Sequence, residues 1–316
     1  MAEGERITTP LISLITINYK QAQVTCDMLE STKVLTYPRF EVIVVDNGSN
    51  DDIADRIQQG NYPNVKLVVS PENLGFSGGN NLGIRHAQGD YFFLLNNDTI
   101  VTPNLLDQLM IPFAQYPDVG VVCPKIRYHS QPNVIQYAGY RPLNIYKGQT
   151  WAIGLKEPDE GQHDQPGPTW FAHGAAMLVS RAVLEQAGSL DESFFLYYEE
   201  LDWSARIRKA GFQIYYQPDA LIYHRESMSV GKASAMKVYY HTRNRLWFMR
   251  RNVSGFPLLI FYLYYFCMAL PKALVKYTVS WQPTYLKAVK DAITWNLTHT
   301  TKPTAAVPMP VAMAGN

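Results

Sequence analysis

The chain has 316 residues, 47% of them hydrophobic and 17% charged, which excludes a disordered polymer and allows one large core, or a core with an appendage. A formal charge of +1 excludes general attraction to nucleic acid, so any polyanion site must be local. Three cysteines, Cys26, Cys123 and Cys267, lack metal-ligand spacing and read as buried thiols of a reducing compartment.

Met1 to Pro10 is charged and polar, without the apolar run of a secretory signal, so a cytosolic catalytic region is expected. Short apolar runs at Leu11–Ile17, Glu41–Val45, Val65–Val69 and Tyr91–Leu95 then read as strands covered on both faces. Helical stretches lie between them, at Ala22–Val34, Asp51–Gln59 and Gly79–Ala87. This alternation predicts an α/β fold with a mostly parallel sheet and flanking helices. Polar residues follow the strands: Asn18-Tyr19, Asp46-Asn47-Gly48-Ser49 and Asn96-Asn97-Asp98. Open sheets bind ligands beyond such carboxyl ends, so residues 10–125 predict a nucleotide-binding half.

Arg127 to Pro168 lacks periodicity and reads as a loop-rich insertion, suited to acceptor recognition or to a lid. Beyond it the pattern predicts a strand at Ala175–Val179, helices at Arg181–Gln186 and Glu199–Lys209, and strands at Gln213–Tyr216 and Ala220–Tyr223. A helix from Ser234 to Arg251 closes an acceptor half over residues 126–251. Asn252 to Pro271 carries no charge, and Phe256–Leu270 is apolar and aromatic, flanked by Arg250, Arg251, Lys272 and Lys276. A spanning helix wants roughly 20 apolar residues, and this core is shorter. Residues 252–298 are therefore expected to lie in a membrane interface, a buried core helix being the alternative. Residues 299–316, rich in Thr, Pro and Ala, read as a disordered tail.

Asp98 is the only carboxylate where the strand Tyr91–Leu95 gives way to polar residues. Mg²⁺ and Mn²⁺ take few protein carboxylates when phosphates supply the other oxygens, although an Asn-Asp turn explains the residue equally well. Asp46, an acceptor at another strand end, could take a pyrimidine N–H or a ribose hydroxyl, or simply shape a turn. In Asn73 to Gly83 the glycines open a helix whose N–H groups could approach an anion. Gly75-Phe-Ser-Gly-Gly79 matches a hydrolase pattern, but Ser77 lies too far from the preceding strand for a nucleophile elbow. On the Glu199 helix, Glu199 and Asp202 share a face, Asp202 pairs with Arg206, and Glu200 projects about 100° away as a free candidate base. A solvated acidic helix start is the alternative. His224 could reach a metal or phosphate. Arg243, followed by Asn244, could fork onto a diphosphate or face lipid.

The order of these motifs resembles glycosyltransferase family 2 from about Leu11 to Arg251, and most of all bacterial rhamnosyltransferases that build cell-surface polysaccharide. The motifs are Asn18-Tyr19, Asp46-Asn-Gly-Ser, Asn73-Leu-Gly, Asn96-Asn-Asp98, Gly174-Ala-Ala-Met, Phe-Phe-Leu-Tyr-Tyr-Glu-Glu-Leu-Asp and Arg243-Asn244. The resemblance implies a GT-A fold over residues 1–251 and an inverting displacement at an anomeric carbon. It implies that Asn18, Asp46, Asn73, Gly75, Asn80, Asn97 and Arg243 serve the donor, Asp46 at the nucleoside. Asp98 matches the last acid of the family's Asp-x-Asp metal motif, whose first position here is Asn96; His224 is a second ligand of Mg²⁺ or Mn²⁺. Glu200 stands at the catalytic base, usually Asp. Gly174, Glu199, Asp202, Trp203 and Arg206 are expected to support the acceptor, with Trp203 where Leu is common. The implied donor is dTDP-L-rhamnose, with a UDP-hexose as runner-up. The acceptor is a lipid-linked saccharide, and the enzyme is expected on the inner face of the cytoplasmic membrane. A sugar-nucleotidyltransferase and a non-catalytic nucleotide-sugar binder remain as alternatives.

Overall fold

The computed structural model describes residues 9–62, 64–225 and 234–300; the expected tail, from residue 301 on, lies outside the described residues. The first apolar runs become strands because both of their faces are covered. β1 (Ile12–Asn18), β2 (Phe40–Asn47), β3 (Val65–Ser70) and β4 (Tyr91–Leu95) pair in parallel in the order β3-β2-β1-β4. Ile12 lies beside both Phe40 and Tyr91. Leu14, Ile15, Ile43, Val44, Phe93 and Leu94 are fully buried in the main core. Helices α1 (Ala22–Thr32), α2 (Ile53–Gly60) and α3 (Gly75–His86) connect these strands. α3 starts four residues earlier than its pattern suggests. Its glycines at 79 and 83 face β1, where an added Cβ would strike Ile17 and Ile15, so they let the helix lie close on the sheet.

Beyond β4 the sheet becomes mixed. β5 (Thr99–Val101) and α4 (Leu105–Gln115) lead to β6 (Val119–Tyr128), β7 (Gln131–Tyr137), β8 (Gly167–Thr169), β9 (Ala176–Ser180) and β10 (Gln213–His224). The order continues β4-β9-β6-β10-β5, with β9 antiparallel to both neighbours. The two strands expected over 213–223 are a single strand with a register shift between Gln217 and Leu221, around Pro218, as a bulge permits. The expected loop-rich insertion contains β7, and buried Lys125 and Arg127 pair with Asp159 to pin its outer part. α5 (Arg181–Ala187), a 3₁₀ turn at Glu192–Phe194, α6 (Glu199–Lys209) and α7 (Ala235–Asn252) complete this region.

The apolar segment is longer than its composition suggests. α8 (Gly255–Tyr264), a π-helical turn at Tyr265–Ala269 and α9 (Leu270–Val279) form one 25-residue helix, an 18-residue stretch of which has a mean hydropathy of 1.8. By length and composition it could cross a membrane, which removes the length argument against a span. Pro271 sits in the first turn after the π-helical turn, where its missing N–H is tolerated, and so does not end the helix. Phe261 and Tyr265 pack with Phe194, Trp247 and Met249 in a second core; the opposite face is exposed. α10 (Pro283–Thr298) returns to pack on α7. Among the cysteines only Cys123 is fully buried; Cys267 is exposed, against expectation.

Candidate active site

The carboxyl ends of β1, β2 and β4 border a cavity of about 1040 Å³. Its floor is Ile17, Tyr19, Asn47 and Leu95 to Asp98; Asn73, Gly75, Phe76 and Asn80 bring in the start of α3. His173 and Gly174 join it ahead of β9, as do Phe195–Tyr197, Glu199 and Glu200 around the start of α6. The expected donor residues Asn73, Gly75, Asn80 and Asn97 thus line one space together with Asp98, His224, Gly174 and Glu200. The N–H groups of α3 do not face an anion, however. Those of Phe76 and Ser77 donate to the Phe195 carbonyl, at 2.7 and 3.4 Å. Gly75, at φ +71°, has no room for a Cβ against that carbonyl.

Asp98 and His224 form a buried corner. His224 Nδ1 lies 2.8 Å from Gln136 Oε1, to which it can donate. Its Nε2 faces Asp98 Oδ1 across 3.0 Å, and neither atom has another partner. A buried carboxylate oxygen beside an imidazole nitrogen is satisfied by a proton shared between them or by a bound cation. No group of three or more His, Cys, Asp or Glu side chains that could hold a metal occurs among the described residues. Two protein donors still suit Mg²⁺ or Mn²⁺ when a diphosphate and water complete the shell. Gln136 sits on β7, inside the segment that read as loop, and its position there carried no sequence signal. His173 accepts the Ala175 N–H at 3.1 Å and packs edge-on to His224. Burial, then His224, push its pKa down to about 3, so it stays neutral. Its one sequence signal is its place directly before Gly174.

The turn before α6 is strained. Phe195, Tyr197 and Tyr198 have φ of 63°, 69° and 72°, a region costly for residues bearing a Cβ. Arg243 and Asn244 hold it there. Asn244 Nδ2 donates to the carbonyls of Phe194, Leu196 and Tyr197 at 2.7–2.9 Å. Arg243 donates to the carbonyls of Ser193 and Phe194 at 2.6 Å and to Asn244 Oδ1. Arg243 is therefore buried and does not line the cavity, a correction to its expected place on the diphosphate: its fork grips backbone carbonyls instead. The turn presents Glu199 and Glu200. Burial pushes Glu200 up to about 7, against the pull of nearby backbone N–H groups. Burial, then Glu200, push Glu199 well above the usual carboxylate range, and its Oε2 has no partner. Each carboxylate thus raises the cost of ionising the other, and Glu199 is the more deeply buried of the two.

The structure places the other expected residues elsewhere. Asn18 is fully buried, bonding Ser49, Asp51 and Thr25, and Asp46 accepts the Ser49 N–H. Neither lines the cavity, whereas their neighbours Tyr19 and Asn47 do. Asp202, Trp203 and Arg206 also turn away from it. Asp202 pairs with Arg206 and Arg251, and Trp203 Nε1 donates to the Gly188 carbonyl. These three build the helix seat rather than an acceptor surface. Ser77 is buried within α3 and away from the cavity, which leaves no nucleophile elbow.

A mixed sheet whose cavity lies beyond the carboxyl ends of its parallel strands is that of a transferase of GT-A fold. Residues 13–188 match Glycosyl transferase family 2, and the chain belongs to that family; it is a glycosyltransferase. It is similar to the N-acetylglucosaminyl-diphospho-decaprenol L-rhamnosyltransferase of Mycobacterium tuberculosis, at 25% identity over 78% of this chain and 86% of the relative. The Low-salt glycan biosynthesis hexosyltransferase Agl10 of Haloferax volcanii is 30% identical over 74% of each chain. The fold resembles the mannosyltransferase PcManGT from Pyrobaculum calidifontis in complex with GDP-Man and Mn2+. That match has TM-score 0.58 and 19% identity, covering 91% of this chain and 76% of the other. It also resembles S. aureus TarS 1-349 in complex with UDP-GlcNAc (TM-score 0.59, 17% identity, covering 90% and 81%).

Proposed function

We propose that the chain transfers L-rhamnose from dTDP-L-rhamnose to a hydroxyl of a lipid-linked saccharide, with inversion at the anomeric carbon. The observation that carries this is one cavity holding both the Asp98–His224 pair and Glu200, a carboxylate that burial tunes to about 7. The rhamnosyl relative supports the choice of sugar. Aromatic lining from Phe76, Phe195, Tyr197 and Tyr240 suits a sugar that carries a methyl in place of a 6-hydroxyl.

Asp98 Oδ1 and His224 Nε2 would hold Mg²⁺ or Mn²⁺. The ion's charge offsets that of the departing diphosphate. Tyr19, Asn47 and Asn73 border the nucleoside. Glu200 takes the proton of the acceptor hydroxyl as that oxygen bonds to the anomeric carbon and the bond from sugar to diphosphate breaks. The stacked rings of Phe195 and Tyr240, 5.1 Å apart, help exclude water.

Residues 9–251 would then be the transferase unit and 252–298 its membrane-associating segment. Phe256, Leu259, Leu263 and Val275, each more than half exposed, would enter the inner face of the cytoplasmic membrane. Buried Phe261 and Tyr265 tie the opposite face to the second core, which favours a helix lying in the interface over one that spans.

Thermal shift against a panel of dTDP-, UDP- and GDP-sugars with Mn²⁺ tests the donor. Stabilisation of roughly 2.7 kcal/mol is expected for dTDP-rhamnose at a hundredfold excess over Kd. A response to UDP-glucose alone would move the donor to a UDP-hexose, the second reading, which the hexosyltransferase relative favours. Silence across the panel would contradict nucleotide-sugar binding.

A further inference from the structure

α7 and α10 run side by side in the same direction. Asn296 Nδ2 donates to the Arg243 carbonyl at 3.0 Å, and Trp295 meets Trp247 edge-on, with centroids 4.9 Å apart. Arg250 donates to the carbonyl of Asn296. Followed back towards both N-termini at 1.5 Å per residue, this register brings Lys287 level with Lys237. Both lysines line the cavity, and neither has an ion pair among the described residues. Lys237 Nζ lies 5.9 Å from the Tyr197 ring. Of the lining residues on these two helices, only Asp291 is acidic, one turn beyond Lys287. The acids Asp98, Glu199 and Glu200 come from other elements.

The chain just before this wall is apolar and open to solvent. Val279 is 76% exposed and Trp281 90%, and the cavity-lining Thr284 is three positions beyond Trp281. That stretch reaches about 11 Å at most. Val279 and Trp281 thus lie close along the chain to the cavity wall that carries Lys287.

We infer that this wall is the subsite for the acceptor's diphosphate. Lys237 and Lys287 hold the diphosphate of a prenyl-diphosphate saccharide, whose sugar reaches Glu200 and whose hydrocarbon runs out past Val279 and Trp281. The inference rests on the glycosyl-transfer reading and assigns the acceptor's charge to residues separate from the donor corner. Two flexible ammonium groups suit a diphosphate, which carries more than one charge and needs no fixed fork. An acceptor without lipid or phosphate would use neither the lysines nor the adjoining strip of Val279 and Trp281.

The test titrates the full chain with farnesyl diphosphate in EDTA, followed by tryptophan fluorescence, with farnesol and inorganic pyrophosphate as controls. A parallel titration with dTDP or UDP and Mn²⁺ reports on the donor corner. Wild type should bind farnesyl diphosphate at least tenfold more tightly than either control. Lys237→Ala combined with Lys287→Ala should lose at least tenfold for farnesyl diphosphate, and no more than twofold for farnesol or for the nucleotide with Mn²⁺. Lys→Arg at both positions should retain the lipid affinity. Unchanged farnesyl diphosphate binding in the double alanine variant would overturn the inference, and so would an equal loss of nucleotide binding. Lysine-dependent lipid binding with no response to any nucleotide would support the subsite and count against the glycosyl-transfer reading instead.

Discussion

Adjacent Glu199 and Glu200 share a helix start, and burial raises the pKa of both, so each opposes ionisation of the other. Glu200→Gln keeps the shape but cannot accept a proton, so kcat should fall on the order of 10²–10⁴-fold while donor affinity stays near wild type. Glu199→Gln changes the more deeply buried of the two and should cost far less. Wild-type kcat should rise as pH passes through about 7, where Glu200 loses its proton, and a profile flat from pH 5.5 to 8.5 would count against it. Stability should move the other way. Between the ordinary carboxylate range and pH 7 the folded chain holds a proton that the unfolded chain has lost, so folding stability falls as pH rises. Glu200→Gln should therefore melt above wild type at pH 8, with the gain shrinking towards pH 5. The carboxylates were legible in sequence because an unpaired acid at a strand end or helix start is chemically conspicuous. Arg243 was not, because its fork fits backbone carbonyls as well as it fits phosphate.

The elements explain which parts of the pattern misled. The glycines of α3 read as an anion cradle but serve close packing on β1, and period alone does not separate those uses. β7 was hidden because its first residues, Gln131-Pro-Asn133, are exposed, so alternation begins too late to register. The strained turn from Phe195 to Tyr198 was invisible because nothing in Phe-Leu-Tyr-Tyr announces positive φ. Its clamp makes a prediction at this scale. Asn244→Ala leaves the Leu196 and Tyr197 carbonyls without their donor, while Phe194 keeps Arg243, and should destabilise the fold by about 2–3 kcal/mol. If the clamp positions Glu200, kcat should fall more than donor affinity does; a variant that only melts earlier, with kcat intact well below its Tm, would make the clamp structural alone. On the long helix, Phe261 is fully buried in the second core. Phe261→Ala should cost about 3–5 kcal/mol, measured by urea denaturation, whereas an exposed position such as Leu263→Ala should change little.

Across the whole molecule, the sheet, the cavity and the apolar helix form a catalytic body with a one-sided hydrophobic surface. Flotation should place the chain on liposomes containing anionic lipid more than on neutral ones, and less so at high salt, because exposed Lys272 and Lys276 lie on that helix. Binding unaffected by salt and lipid charge would point to a spanning helix. The broad architecture was legible in sequence because parallel strands covered on both faces announce themselves as unbroken apolar runs. The mixed second half was less so, since its strands depend on partners distant along the chain. The central claim, that Glu200 and an ion at Asp98 and His224 drive sugar transfer, meets its most direct test in one assay. Nucleoside diphosphate released from the donor on adding a lipid-linked acceptor is measured for wild type and Glu200→Gln, with Mn²⁺ and with excess EDTA. The account predicts release by wild type with Mn²⁺, its loss in EDTA and recovery when the ion is restored, and no release by a Gln variant that still binds donor. Turnover by that variant, or full wild-type turnover in EDTA, would contradict it.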